Sequence, residues 1–209
     1  MEKVSRTYVV RNKYRVVGDI LCDAEGRLLD VGARDRRLAA ELDPQRLAYH
    51  SADVGEENDY QIDLEQALDF PDEAFDYVVA LDVLEHVEHI HRAFHELARI
   101  TRHCLIIGLP HLASLARRWS FLWHGHLGTK KYDLYPQHQG DRHRWLTVYP
   151  QINAFIETNA PRAGFVLERT LEEIEGGRVA RLLGYVLARA GLVPPGLLTE
   201  RCVYVLTRR

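Results

Sequence analysis

Cysteine is scarce and poorly placed for chemistry. Only Cys22, Cys104 and Cys202 occur among 209 residues. An odd set without metal-like spacing, inside or beside apolar runs, excludes a disulfide framework and reads as reduced core residues of an intracellular protein. No stretch of about 18 apolar residues could span a bilayer. The N-terminal MEKVSRTYVVRNKYRVVGDIL lacks the uninterrupted apolar core of a signal peptide. The expected location is therefore cytoplasmic. G-x-G-x-x-G is absent, which counts against a nicotinamide-dependent dehydrogenase. There is no repeat and no low-complexity tract. A basic excess is missing too: 27 Lys and Arg against 30 Asp and Glu give a net charge of −3, so no nucleic-acid partner is expected.

What is present is ordinary globular composition, 46% hydrophobic and 27% charged, enough for one core and a single domain over 1–209. The charge is unevenly spread. From Glu41 to Glu88 there are 15 acidic residues and one basic, Arg46; from Arg99 to Trp145 there are eight basic and two acidic. Ten of the 11 histidines fall between His86 and His143. Such a split points to a site with differently charged sectors.

The periodicity predicts alternating strands and helices. A short helix between Lys13 and Leu21 precedes Leu28–Gly32, a buried strand entering a glycine turn; Asp35 to Leu42 then has helical spacing. Further strands are expected at Arg46–Asp53, Tyr60–Leu64, Phe75–Leu81 and Cys104–Pro110. Ile90, Ala93, Phe94 and Leu97 give a helix with one apolar face. Pro150–Asn159 is a helix with proline in its first turn, and Gly164–Thr170 and Arg201–Leu206 are the last two strands. Alternation of this kind builds a parallel sheet covered on both faces, with ligands at the carboxyl ends of its strands.

The turn after the first strand is the expected cofactor cradle, since a glycine there lets the backbone approach a ligand. Asp30 and Gly32 carry that signal, with a plain turn as the alternative. Asp53, on the second strand, is placed to accept hydrogen bonds from ribose hydroxyls, as in other nucleotide-binding sheets; otherwise it is a solvated turn residue.

LLDVGARDRRLAAEL, followed by IDLEQALDFPDEAFDYVVALDVLEHVEHIHRAFHELARITRHCLIIGLP, resembles the class I S-adenosylmethionine-dependent methyltransferases, particularly the type 11 and MetW-like groups. The resemblance covers Arg27 to Pro110 well and the C-terminal third more loosely. It implies a Rossmann-like α/β fold with a seven-stranded, mostly parallel sheet closed by a C-terminal antiparallel hairpin. Helices would cover both faces, with a helical cap after strand five. It also implies S-adenosyl-L-methionine as cofactor. Asp30 and Gly32 match the first motif, near the methionine part. Asp53 matches the residue holding the ribose hydroxyls, and Asp63 with Leu64 the pair beside the adenine. Leu81 and Asp82 border the methionine and transferred methyl. Arg34 and Arg36 stand where the family has its second and third glycines, so the Arg34 side chain must turn from the ligand or pair with its carboxylate. The short Asp53–Asp63 interval is expected to be a turn rather than a helical crossover.

Two insertions are expected, at about 111–149 and 177–197. In the first, Leu112, Leu115, Ala116, Trp119, Leu122 and Trp123 form one stripe of an amphipathic helix, with Arg117 and Arg118 opposite. It reads as a cap over the site or as a lid contacting a membrane surface through 112–123. In the second, Val179, Leu182, Leu183, Val186 and Leu187 form a helix expected to pack on the cap. His91 and His95, and the loop histidines His124, His126, His138 and His143, read as surface rather than metal-binding, and no metal is expected.

His86, directly after strand four, is the best-placed general base, with capping of the next helix as its alternative; His143 is the second candidate. His143, Tyr132, Tyr135 and Trp145 are expected to line the acceptor pocket, and the cations Lys130, Lys131, Arg142 and Arg144 suit an anionic acceptor such as a phosphate- or carboxylate-bearing glycan or lipid. The expected function is methyl transfer to a small-molecule, glycan or lipid-linked acceptor, at oxygen. The alternative, motivated by Arg34 and Arg36, is a non-catalytic relative acting as a binding or scaffold module.

Overall fold

The computed structural model describes residues 5–129, 131–132 and 142–209. Its strands are β1 (Ser5–Val9), β2 (Gly26–Val31), β3 (Leu47–Asp53), β4 (Tyr60–Gln61), β5 (Phe75–Leu81), β6 (Thr101–Pro110), β7 (Phe165–Ile174) and β8 (Thr199–Arg208). The α-helices are α1 (Lys13–Ile20), α2 (Ile90–Ile100), α3 (Leu115–His124), α4 (Tyr149–Arg162) and α5 (Arg178–Arg189). The strands form one sheet in the order β1-β7-β8-β6-β5-β2-β3-β4. Only β8 runs antiparallel to its neighbours, β6 and β7.

The central strands are buried on both faces, so consecutive apolar residues serve opposite cores. Val78 and Ala80 of β5 and Ile107 of β6 meet Phe94 and Leu97 of α2 and Ile156 of α4. Val79, Leu81 and Ile106 meet Val16 and Val17 of α1 on the other face. α2 forms because Ile90, Ala93, Phe94 and Leu97 recur at helical spacing, and all four are buried. Asn12 starts α1 by accepting the Arg15 N–H at 3.0 Å.

Three expectations change. The sheet has eight strands, not seven: β1 adds to the edge in parallel with β7, Ser5 opposite Arg169 and Val9 opposite Glu173. β1 is held by backbone pairing while its side chains stay exposed or half-buried, so hydrophobic periodicity gives little sign of it. The helix expected over Asp35–Leu42 is a 3-10 turn over Arg37–Glu41, entered through Arg36 in the left-handed region at φ 52°. The third predicted strand shrinks to Tyr60–Gln61. Residues 54–59 form the turn that the short interval predicts, fixed by Asp59 accepting the Ser51 N–H at 2.8 Å and the Ser51 hydroxyl at 2.9 Å.

The chain runs outward from β2 to β4 and then returns to β5 on the other side of β2. Strand order therefore reverses between β2 and β5, where Val31 lies opposite Ala80. The crevice beyond the carboxyl ends of these two strands is where a sheet of this kind receives a ligand.

Candidate active site

The crevice opens as two adjoining chambers of about 390 and 380 Å3, with Gly32, Arg34, Asp82 and His86 in the walls of both. Asp53, Ile62, Asp63 and Leu64 line the first. Glu85, Leu112, Arg117, Lys131, His143 and Arg201 help to line the second.

Gly32 is fixed by sterics twice over. Its φ is 75°, and a Cβ there would stand 2.3 Å from Val83 Cγ2. Beyond it, Arg34 and Arg36 keep left-handed backbone, at φ 37° and 52°, so a shape that glycine usually supplies persists without it. The Arg36 side chain leaves the crevice: Nη2 donates to Glu57 O at 2.8 Å and pairs with Asp59 Oδ1 at 3.5 Å. Arg34 lines both chambers, and its N–H lies 3.4 Å from Asp53 Oδ2. Asp53 Oδ1 accepts the Val54 N–H at 2.7 Å.

Asp30 lies behind the wall. It is buried, accepts the Tyr49 hydroxyl at 2.8 Å and lines neither chamber. Burial pushes its carboxyl up to about 6, despite the Tyr49 hydrogen bond and Lys13. Leu81 lines the second chamber. The remaining expected cofactor residues, Gly32, Asp53, Asp63, Leu64 and Asp82, converge on the first.

Asp82 has left-handed backbone, φ 60°, and its carboxylate is clamped. Arg201 donates to it from Nε at 2.7 Å and Nη2 at 2.8 Å, and Lys13 Nζ donates at 2.9 Å. Burial alone would raise the Asp82 carboxyl; the charges and hydrogen bonds of Arg201 and Lys13 outweigh it and hold it below its ordinary value. Arg201 Nη1 also donates to Glu173 Oε2 at 2.6 Å. Lys13 and Arg201 carry no local motif; the start of α1 brings in the first and the pairing of β8 with β6 the second.

Glu85, His86 and His143 stand together in the wall of the second chamber. The 142–145 segment docks on the turn after β5: Glu85 O accepts the Arg144 N–H at 2.7 Å, and Val87 O accepts the Trp145 indole N–H at 2.8 Å. His143 is thereby carried to His86, their ring centroids 4.6 Å apart. Glu85, inside the L-E-H-V motif but given no role by sequence reasoning, is fully buried. Burial first, then the charge of Asp82, pushes its carboxyl up to about 8.

Two of the other histidines are held by local contacts. His91 packs on Phe155 and approaches Asn159 Oδ1 at 3.4 Å. Buried His111 accepts the Tyr149 N–H at 3.0 Å, and burial lowers it to about 4. Arg142 and Arg144 line the first chamber rather than the second. Lys130, Tyr135 and His138 lie outside the described residues.

The stripes on α3 and α5 face outward. Trp119, Leu122 and Trp123 are 59–72% exposed, and Val179, Leu182, Leu183 and Val186 are 53–82% exposed. Among the described residues, the apolar stripe of α5 therefore does not pack on the cap. α5 rests instead on β1 and β7. Among the described residues, no helix is long and apolar enough to cross a membrane.

A family model for methyltransferase domains matches residues 5–146. No curated protein sequence matches the chain. Among solved structures, the magnesium protoporphyrin IX methyltransferase of Synechocystis PCC 6803 with bound S-adenosylhomocysteine is similar at 17% identity and a TM-score of 0.58, over 94% of this chain and 81% of its own. The methyltransferase domain of bacterial CtHen1 is similar at 14% identity and a TM-score of 0.61, over 93% and 97%. The cyclase SpnF is similar at 14% identity and a TM-score of 0.56, over 93% and 80%. A fold shared with a cyclase does not by itself fix the reaction.

Proposed function

The chain belongs to the methyltransferase-domain family, and on that premise we propose that it binds S-adenosylmethionine in the first chamber and transfers the methyl to an acceptor oxygen in the second. The carrying observation is the pair of chambers sharing the wall of Gly32, Arg34, Asp82 and His86. Asp53 takes the ribose hydroxyls, and Asp63 and Leu64 take the adenine. Gly32 and Asp82 border the methionine part.

Transfer needs in-line approach and exclusion of water. The acceptor oxygen forms a bond to the methyl carbon. The carbon–sulfur bond breaks with its electron pair returning to sulfur, and the acceptor proton leaves to solvent at the part of the second chamber walled by Glu85, His86 and His143. Clamped Asp82 positions the shared wall and takes no proton.

The acceptor we propose is anionic and lipid-linked. α3 and α5 together carry five arginines, Arg117, Arg118, Arg178, Arg181 and Arg189, and no carboxylate. They follow the carboxyl ends of β6 and β7, at the same end of the sheet as the crevice. Leu197 O accepts the Leu115 N–H at 2.7 Å, and a Cβ on Gly184 would stand 3.4 Å from Leu198 Cδ1, so one segment links both helices. Exposed tryptophan and leucine beside arginine suit an anionic lipid surface.

A non-catalytic module is the competing reading, and Arg34 in the walls of both chambers favours it. A structure with S-adenosylhomocysteine bound separates the two. The expected pose has the ribose on Asp53 and the sulfur at the shared wall. A nucleotide seated elsewhere, or none at saturating ligand, overturns the reading.

A further inference from the structure

We infer that Glu85, His86 and His143 form a binding site for one divalent transition-metal ion in the wall of the acceptor chamber. One ligand atom from each lies within 4.8 Å of the others, and this is the group of its kind found among the described residues. His86 Nε2 is 3.9 Å and His143 Nε2 is 3.8 Å from Glu85 Oε1. Two donors on one tetrahedral ion stand about 3.3 Å apart, at metal–ligand distances of about 2.0–2.1 Å. The two Glu85 distances exceed this by about half an ångström and the third pair lies within 4.8 Å, so side-chain adjustments of between about half and one and a half ångström close the set.

Two independent features point to a ligand. Both Glu85 carboxyl oxygens are buried without a hydrogen-bond partner, although a buried carboxyl ordinarily has its oxygens satisfied. The far side of each imidazole is also arranged for metal binding. His86 Nδ1 donates to Arg142 O at 3.0 Å. The Tyr132 hydroxyl spends its hydrogen on Trp145 O, so it accepts from His143 Nδ1 at 3.2 Å. Nδ1 of each ring thus has an acceptor and Nε2 lies on the Glu85 side, with backbone and phenol partners orienting the rings as outer-shell groups orient metal-binding histidines.

Two imidazoles and one carboxylate leave coordination positions open, a set that suits zinc, manganese, iron or cobalt rather than magnesium. The site rests on its own geometry. Its catalytic use rests on the function proposed above: an acceptor hydroxyl on the ion would lose its proton to solvent there, and the histidines would act as ligands rather than as bases.

The test uses the full chain after chelator treatment, titrated with zinc, manganese and cobalt ions without cofactor or acceptor. Bound metal is read by elemental analysis, and the cobalt form by its visible absorption. One equivalent is expected. Glu85→Gln should weaken it at least about tenfold, and Tyr132→Phe by about tenfold through the outer shell. Glu85→Gln loses no protein hydrogen bond, so its melting temperature without metal checks that it folds. No binding of any of the three ions, or affinity unchanged in a folded Glu85→Gln protein, overturns the inference. Cofactor titration is a separate measurement, so failure here and failure of the methyltransferase reading are distinguishable.

Discussion

Arg201 holds Asp82 in a two-pronged clamp, with Nε 2.7 Å from Oδ1 and Nη2 2.8 Å from Oδ2. The pair joins the end of β5 to β8, across the strand β6 that lies between them. Removing one partner of a largely buried pair leaves its charge under-compensated, here with Lys13 still on Asp82. Arg201→Met should therefore lower unfolding free energy by about 3 kcal/mol. Asp82→Asn in the same chain should return part of that loss, because the stranded charge goes with it. Denaturant unfolding of both single variants and the double variant measures the coupling; additive effects would contradict the clamp.

Gly32→Ala should be costly twice. Left-handed backbone disfavours alanine by about 1–2 kcal/mol, and the new methyl meets Val83 Cγ2. Val83→Ala in the same chain should relieve the collision and leave the backbone cost. Melting curves of the two variants resolve the parts. A fully restored double variant would show that the φ of Gly32 carries no strain.

Asp30 gives the pH dependence its sign. Its folded carboxyl is raised to about 6, against about 3.9 unfolded. The folded state therefore holds the proton more tightly, and its stabilising effect, full below pH about 4, is lost as pH rises through about 6. Asp30→Asn keeps an acceptor for the Tyr49 hydroxyl and removes the charge. The stability of the variant relative to the native chain should rise by about 2 kcal/mol between pH 4 and 7. Urea unfolding across that range checks it, and a flat difference would contradict the burial argument.

Vesicles test the surface of α3 and α5. Binding should be strong on phosphatidylserine-containing vesicles and weak on pure phosphatidylcholine, since each arginine at an anionic surface contributes about 1 kcal/mol. Trp119→Ser with Trp123→Ser should reduce it about tenfold or more and leave cofactor affinity unchanged. Equal partition to both vesicle types, or a stable dimer covering the face, would contradict the lipid assignment.

The local motifs were the legible part. V-G at the β2 turn, Asp53, the Asp63–Leu64 pair and the L-D at the end of β5 are each written in a few consecutive residues, and they mark the walls of the crevice, while Asp30 of the same D-V-G lies behind them. Lys13 and Arg201 are not readable in this way, because they reach Asp82 from 69 and 119 positions away. Glu85 sat in plain view in L-E-H-V, but its meaning depends on His143, which arrives only when 142–145 docks on the β5 turn. α3 and α5 show the opposite limit: their stripes are legible as helices, but periodicity does not say what an apolar stripe faces.

The most direct test is calorimetric titration of the native chain and Asp53→Ala with S-adenosylmethionine and S-adenosylhomocysteine. The native chain should bind both with one-to-one stoichiometry. Asp53→Ala should lose at least about tenfold in affinity, since two hydrogen bonds to a charged group are removed, and His86→Ala should bind nearly as the native chain does. Absence of heat at about 1 mM ligand, where binding worth only about −4 kcal/mol would register, would contradict the methyltransferase account. So would native affinity in Asp53→Ala.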